Sequence, residues 1–177
     1  MGELTQRGDA SIVSEGFYQE VSSILSAARN KAYAAVNFAM VEAYWEIGRS
    51  IVEQQGGEDR AEYGEALISG LSERLTLDFG KGFDPSNLRY MRLFYQAFPI
   101  RDALRHELSW THYRRLSRIS DPDARMWYMN ECADAKWSTR QLERQINTMF
   151  RERLLASKDK EPVSSEIAKS ESAARPA

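Results

Sequence analysis

Apolar residues recur every three or four positions through nearly the whole chain, and this spacing restricts the fold more than any other feature. From position 12 onward they form a stripe that includes Phe17, Val21 and Ile24 and continues past Tyr44 to Ile51. Such spacing places apolar side chains on one face of a helix. No run of β-branched residues alternates with polar ones, and no Asn-Gly or Asp-Gly pair suggests a hairpin. The sequence therefore predicts an all-α fold.

Glycines and capping residues divide this periodic sequence into six to seven helices. Gly56-Gly57 ends a long N-terminal helix, or a pair of helices that is broken near Asn30. The helices that follow are expected at about 61–78, 85–98, 110–118, 122–135 and 138–155, with starts marked by Asp84-Pro85, Ser109, Asp121-Pro122 and the Ser138–Gln141 capping box. We expect these helices to form one domain over residues 12–156, which is large enough to bury a core.

The two ends of the chain differ from this domain in composition. Residues 157–177 contain no aromatic residue and only two large aliphatic ones, Val163 and Ile167. Such a segment cannot bury enough apolar surface to offset the entropy lost on ordering, so we expect a disordered tail. Residues 1–11 are expected to be a flexible N-terminus. The start of the chain lacks the basic and apolar regions of a secretion signal, so no signal peptide is expected.

Cysteine content and hydropathy favour a location inside the cell. Cys132 is the single cysteine, which excludes an internal disulfide and fits a reducing compartment. No stretch approaches the ~20 apolar residues that a membrane span requires. We therefore expect a cytoplasmic protein that makes no membrane contact.

The net charge of −2 conceals a marked asymmetry. Residues 1–84 carry 7 basic and 14 acidic groups, whereas residues 85–118 carry seven arginines against Asp102 and Glu107. A basic block in an otherwise acidic protein suggests a polyanionic partner. The alternative is that these arginines only form the solvent-exposed faces of helices and bind no partner.

The stretch from Leu67 to Phe98 has the order of a helix-turn-helix: a helix, a glycine-containing turn and a second, capped helix. In such motifs the first turns of the second helix contact base edges in the major groove. The exposed positions there are Ser86, Asn87, Arg89, Tyr90 and Arg92, and Lys81 in the turn together with the helix N-terminus could hold phosphate. The turn, counted as residues 76–83, is longer than usual, so an ordinary helical hairpin is the alternative.

Five motifs in fixed order resemble the N-terminal domain of the YhcG-type family. They are YWEIGRSIVE (44–53), YGEALISGLSERLTLDFGKGF (63–83), NLRYMRLFYQAFP (87–99), LSWTHYRRL (108–116) and WSTRQLERQI (137–146). The resemblance covers about residues 12–160. In that family a PD-(D/E)xK nuclease domain normally follows, and we expect this chain to end before one begins. The resemblance therefore implies a nuclease-associated recognition domain, with a separately encoded nuclease subunit as a candidate partner.

The middle of the chain is also similar to the DNA-binding region of ParB-like partition proteins. There a helix-turn-helix precedes an LSxxHxRxL helix, an acidic helix and an LSVRxLE helix, which correspond here to LSWTHYRRL, DPDARMWYMNECADA and WSTRQLERQI. This similarity implies double-stranded DNA as the partner, with Arg89, Arg92, Arg114 and Arg115 on or beside the DNA-facing side. His112 is expected to cap a helix or to contact phosphate.

No catalytic centre is predicted. Asp123, Asp134 and Lys136 spell a PD…DxK nuclease pattern, but eleven helical residues would hold the two carboxylates ~16 Å apart, too far to share a metal ion. His106 and His112 lack the further ligands that zinc requires. The sequence thus predicts neither a metal site nor a cofactor.

Two hypotheses follow from the sequence. The first is a non-catalytic DNA-binding domain, expected to be a homodimer. The second is a protein-interaction or dimerisation module without nucleic-acid contact, in which Tyr44, Trp45 and Ile51 of the long N-terminal helix form a two-fold helical interface.

Overall fold

The computed structural model of the protein describes residues 13–56 and 61–157, and this part of the chain confirms the predicted all-α fold. It contains seven α-helices and no strand. The helices are α1 (Glu15–Gln55), α2 (Ala61–Phe79), α3 (Pro85–Ala97), α4 (Trp110–Leu116), α5 (Pro122–Asp134), α6 (Thr139–Asn147) and α7 (Phe150–Ala156), with a 3₁₀ turn at Arg101–Ala103. The predicted flexible N-terminus and all but the first residue of the predicted tail lie outside the described residues. No described helix is long and apolar enough to cross a membrane.

The chain forms two units, which meet in sequence between Val36 and Asn37. In the first unit, α1 is unbroken at Asn30, so a single helix rather than a pair is present. The large apolar side chains of this unit, from Phe17 to Val36, are exposed instead of packed in a core.

The second unit has an aromatic core built around α3 and α4. Phe94 and Tyr113 pack with ring centroids 4.9 Å apart, and Phe98 contacts Tyr113 edge to face at 5.5 Å. The indole Nε1 of Trp45 donates a hydrogen bond of 2.6 Å to the Phe98 carbonyl oxygen. This bond satisfies the polar atom of a buried tryptophan and ties α1 to the end of α3.

The sequence suggested a two-fold helical interface through Tyr44, Trp45 and Ile51, but these side chains pack within the second unit. Trp45 and Ile51 are buried, and Tyr44 packs on Trp110 with ring centroids 4.9 Å apart. Trp45 and Ile51 therefore belong to the core of the second unit and are not available for a partner, while Tyr44 is partly buried against Trp110.

The predicted helix-turn-helix hairpin is present as α2, a connection of residues 80–84 and α3. The connection is shorter than expected because α2 continues to Phe79. Gly80 and Gly82 have φ of +79° and +112°, a backbone region that favours glycine. The Asp84 carboxylate accepts a hydrogen bond of 3.0 Å from the Asn87 backbone N–H, which caps α3 as the sequence predicted.

One predicted helix, 138–155, is wrong: the chain forms two helices there, α6 and α7. Met149 adopts the left-handed conformation with φ of 50°, and the Thr148 hydroxyl donates to the Arg144 carbonyl oxygen at 3.0 Å. A threonine side chain that bonds to the preceding turn competes with continued helix formation. Immediately after the break, Phe150 is buried against the rings of Trp127 and Trp137.

Candidate nucleic-acid interface

Helix α3 presents exposed and partly buried residues along two edges. Leu88, Met91 and Phe94 are buried on its inner face. On one edge the Arg89 guanidinium forms a bidentate ion pair with Glu65 of α2, Nε donating to Oε1 and Nη2 to Oε2, and Arg92 lies beside Gly64. The other edge faces α4 and carries Tyr90. Arg89, Arg92 and Tyr90 were expected to contact DNA as one group. In the structure, the two arginines lie on one edge of α3 and Tyr90 lies on the other.

The ion pair between Arg89 and Glu65 affects both groups. The side-chain hydrogen bond from Arg89 lowers the pKa of the Glu65 carboxyl, and the bond to Glu65 raises the pKa of Arg89. Both side chains are about half exposed. A phosphate or base edge that approaches Arg89 must therefore compete with a carboxylate already bound to it.

Asn87, expected to contact adenine, has both ends of its amide engaged inside the molecule. Its Nδ2 donates to the Gly82 carbonyl oxygen at 2.6 Å, and its Oδ1 accepts from the Trp110 Nε1 at 3.0 Å. These bonds join the turn, α3 and α4. Base contact by Asn87 would require them to break.

His112 is engaged in a similar way. Its Nδ1 accepts from the Ser109 backbone N–H at 3.1 Å and lies 2.8 Å from the Ser109 hydroxyl, forming a capping box at the start of α4. Its Nε2 lies 3.0 Å from the Trp137 carbonyl oxygen, and the tautomer protonated at Nε2 satisfies all three contacts. Burial lowers the pKa of His112, since desolvation disfavours the charged imidazolium. The capping expectation is confirmed, and both ring nitrogens are engaged in bonds within the molecule.

Tyr90 and Arg114 join α3 to α4. The Arg114 guanidinium carbon lies 4.3 Å from the centre of the Tyr90 ring, the geometry of a cation–π contact. This contact holds the Arg114 guanidinium in place without neutralising its charge. Arg114 has no ion pair among the residues that the structure describes.

Around this contact lies a concave surface of about 180 Å³, lined by Tyr90, Thr111, Arg114, Arg115 and Arg118. A larger, shallow groove of about 450 Å³ adjoins it, lined by Arg115, Arg118, Ile119, Ser120, Glu143, Ile146 and Asn147. Arg115 and Arg118 contribute to both concavities. We refer to the lining of the smaller concavity as the arginine surface.

Arg115 is partly neutralised within this surface. One of its terminal nitrogens forms an ion pair of 2.7 Å with Glu143 of α6, while its Nε is buried and has no hydrogen-bond partner among the described residues. Arg118 has no ion pair within the described part of the chain and is exposed. The arginine surface therefore carries two uncompensated guanidinium groups, Arg114 and Arg118, beside a third that is partly compensated.

The arginine surface includes three residues of the sequence-based site and two others. Tyr90, Arg114 and Arg115 were expected, whereas Arg118 and Thr111 were not. Arg118 belongs to the basic block and lies four positions after Arg114, a spacing that would place the two on one face of the predicted helix 110–118, although α4 ends at Leu116. Lys81 and Ser86 are exposed at the turn and at the first turn of α3, as predicted.

The aspartates of the PD…DxK pattern lie at opposite ends of α5, as the sequence indicated. Asp123 is in the first turn, and Asp134 is the last helical residue. The Asp134 carboxylate accepts a hydrogen bond of 2.7 Å from Arg105. Within residues 13–56 and 61–157, no three histidine, cysteine or acidic side chains are grouped so that they could hold a metal ion.

Comparison with known proteins gives two matches. Residues 20–153 match the family described as DUF1016 N-terminal domain. A curated relative from Escherichia coli (strain K12), named "Putative nuclease YhcG", is 38% identical over 180 residues, which cover 81% of this chain and 48% of the relative. The chain thus spans about half the length of the curated relative it matches. No solved structure matches the chain.

Proposed function

The chain belongs to the DUF1016 N-terminal domain family, and from this premise we propose that it binds double-stranded DNA without cutting it, as the recognition domain of a nuclease system. The YhcG-type resemblance is confirmed by the family match, while the resemblance to partition proteins stays a prediction. The nuclease association rests on the name of the curated relative. DNA binding rests on the residues described above.

The observation that carries the proposal is the arginine surface. Three guanidinium groups from α4 and the residues after it line one concavity, and Tyr90 holds one of them by its ring face. Guanidinium groups match the geometry of phosphate oxygens and form paired hydrogen bonds with them. Arg114 and Arg118 carry charge that no described carboxylate neutralises. We assign to this surface the contacts with the DNA backbone.

Recognition of the DNA sequence is assigned to the exposed start of α3. Ser86 and Arg89 are accessible there, and Lys81 lies on the preceding turn. Since Arg89 is bound by Glu65, it contacts DNA only when that carboxylate is displaced. Asn87 and His112 act indirectly in this account, because their hydrogen bonds position α3 and α4.

Cutting is assigned to a nuclease domain or subunit and not to residues 13–157. Asp123 and Asp134 are separated by the length of α5, and Asp134 is bound by Arg105. Two-metal and one-metal hydrolysis both need carboxylates that converge on the same ion. The α5 helix holds these two apart.

Equilibrium binding to a labelled duplex, measured by fluorescence anisotropy at low salt, tests the proposal. The Arg114→Ala and Arg118→Ala variants should each bind about tenfold more weakly, irrespective of DNA sequence, as expected when a phosphate contact is lost. Arg101→Ala is the matched control, because Arg101 is an exposed arginine of the same basic block that pairs with Glu46 outside the arginine surface. If wild-type protein does not bind, or if Arg101→Ala weakens binding as much, the proposal is wrong.

The second candidate function is a protein-interaction module without nucleic-acid contact. The exposed apolar side chains between Phe17 and Val36 favour it. This candidate predicts that the wild-type protein shows no affinity for the duplex in the same measurement.

A further inference from the structure

The first part of α1 carries an apolar face that the fold leaves exposed. At 100° per residue, six large side chains fall within an arc of about 120°. They are Phe17 (57% exposed), Tyr18 (58%), Val21 (38%), Ile24 (61%), Leu25 (54%) and Val36 (62%). The opposite side of the helix carries Gln19, Ser23, Ser26 and Asn30. We call the six residues, with Ala28 and Ala32 on the same arc, the N-terminal apolar face.

An exposed patch of this kind marks a contact surface, because isolated exposed apolar residues are common but a continuous stripe along a helix is not. From the pattern of size and charge along this stripe, we propose that it pairs with the same face of a second copy of the chain, in an antiparallel two-fold arrangement. The two helices would cross between positions 22 and 25. This goes beyond the proposed DNA binding and does not depend on it.

Side-chain size supports the antiparallel arrangement. The large residues Phe17 and Val21 come before the crossing point, and the small residues Ala28 and Ala32 come after it. A two-fold axis at the crossing point brings positions 17–21 of one helix against positions 28–32 of the other, so large side chains meet small ones, and Val36 lies outside these paired positions. A parallel pair would instead place Phe17 against Phe17 and leave the alanines facing each other across a gap.

Charge supports the same arrangement. Four charged residues lie between positions 13 and 36, and the acidic pair comes before the crossing point while the basic pair comes after it. On the helix, Glu15 and Arg29 lie along one edge of the apolar face, and Glu20 and Lys31 along the other. In an antiparallel two-fold pair, each edge of one helix lies beside the same edge of the partner helix. Each acidic group then lies near a basic group of the partner copy, which specifies orientation.

Sedimentation equilibrium at about 1–100 µM protein tests the pairing. Wild-type protein should be a dimer, and Ile24→Glu should be a monomer because it places a charge at the crossing point. Leu77→Glu is the matched control: Leu77 is an exposed leucine on α2, outside the face, and its substitution should leave the dimer intact. Circular dichroism verifies that each variant is folded.

Charge exchange tests the orientation. Glu20→Lys or Lys31→Glu alone should raise the dimer dissociation constant about tenfold, and the double variant should return it toward the wild-type value. In a parallel pair neither residue lies near an opposite charge of the partner, so single exchanges would have no such effect.

Disulfide trapping gives an independent measure of orientation. Ile24→Cys lies near the two-fold axis and should cross-link readily, whereas Phe17→Cys should not, because antiparallel copies hold those positions ~15 Å or more apart. Burial raises the pKa of the native Cys132 thiol to about 12, which keeps it from competing. A monomeric wild-type protein, a dimeric Ile24→Glu variant, or equal cross-linking at both positions would overturn the proposal.

Discussion

Among individual residues, the function of each arginine depends on whether a carboxylate already neutralises it. Arg89 is bound by Glu65, and Arg105 by Glu107 and Asp134. Seven arginines in residues 85–118 therefore do not amount to seven phosphate contacts. Among the described residues, Arg92, Arg114 and Arg118 of this block form no ion pair, and the last two line one concavity, where Arg114 stacks on Tyr90.

The partly buried imidazole of His112 gives a prediction for pH dependence. Its pKa is lowered in the folded protein, so the unfolded chain takes up a proton more readily and stability falls as the pH drops below about 6.5. His112→Gln removes this titration and keeps an acceptor for the Ser109 backbone N–H, because glutamine at the third helical position also forms capping boxes. Denaturant unfolding at pH 7.5 and 5.5 should show a larger loss of stability in wild-type protein than in the variant.

The comparison with the variant isolates His112 from the carboxylates. Hydrogen bonds from arginine lower the pKa of Glu65 and Glu107, so their contribution is lost only at a pH below the ordinary glutamate value, outside this window. Burial raises the pKa of Glu131, an effect common to both proteins. Equal losses of stability in the two proteins would contradict the assignment of a neutral, partly buried His112.

The sequence predicted which charged residues lie on the surface, but it did not predict which side chains bind one another. The exposed arginines follow from helical spacing, yet the acceptor of Arg89 lies 24 positions earlier and that of Arg115 lies 28 positions later. Asn87 was expected to be free for DNA. Its hydrogen bond from Trp110 could not be predicted, because only the tertiary fold brings Trp110 beside it.

Among the helices, the sequence predicted those starts that local chemistry determines. Asp84-Pro85, Asp121-Pro122 and the Ser138–Gln141 capping box begin α3, α5 and α6 where expected. The break between α6 and α7 was not predictable, because neither glycine nor proline occurs there. A threonine and a left-handed methionine end α6, and the burial of Phe150 follows.

The packing of α1 on α3 gives a prediction about stability. A Cβ atom at Gly48 would lie 2.1 Å from the Met91 carbonyl oxygen, so the two helix backbones must separate in Gly48→Ala. We expect the free energy of unfolding to fall by about 1–3 kcal/mol, the cost of overpacking a core. Chemical denaturation monitored by circular dichroism measures it.

Gly70→Ala is the matched control for this substitution. Gly70 is exposed within α2, and a Cβ atom there would meet nothing within 4 Å. Because alanine favours the helix over glycine, this variant should gain about 0.5–1 kcal/mol. A Gly48→Ala variant as stable as Gly70→Ala would show that α1 and α3 do not approach as closely as described.

For the molecule as a whole, the charge asymmetry of the sequence predicts a polyanionic partner, and the fold determines which arginines of the basic block lie together on the surface. The block 85–118 includes α3, α4 and the segment between them. Of its arginines, only Arg114, Arg115 and Arg118 line the arginine surface around Tyr90. The apolar stripe of residues 17–36 was equally visible in the sequence, but only the structure showed that it stays exposed.

The salt dependence of DNA affinity tests the central claim most directly. Each phosphate bound by a cationic side chain releases counterions, so the logarithm of the binding constant should fall linearly with that of the salt concentration between about 50 and 200 mM, with a slope of about −0.9 per contact. Arg114→Ala and Arg118→Ala should each reduce the steepness by about 0.9, whereas Arg101→Ala should match the wild type. The claim would be contradicted by an affinity that does not change with salt, or by arginine-surface variants with the slope of the wild-type protein.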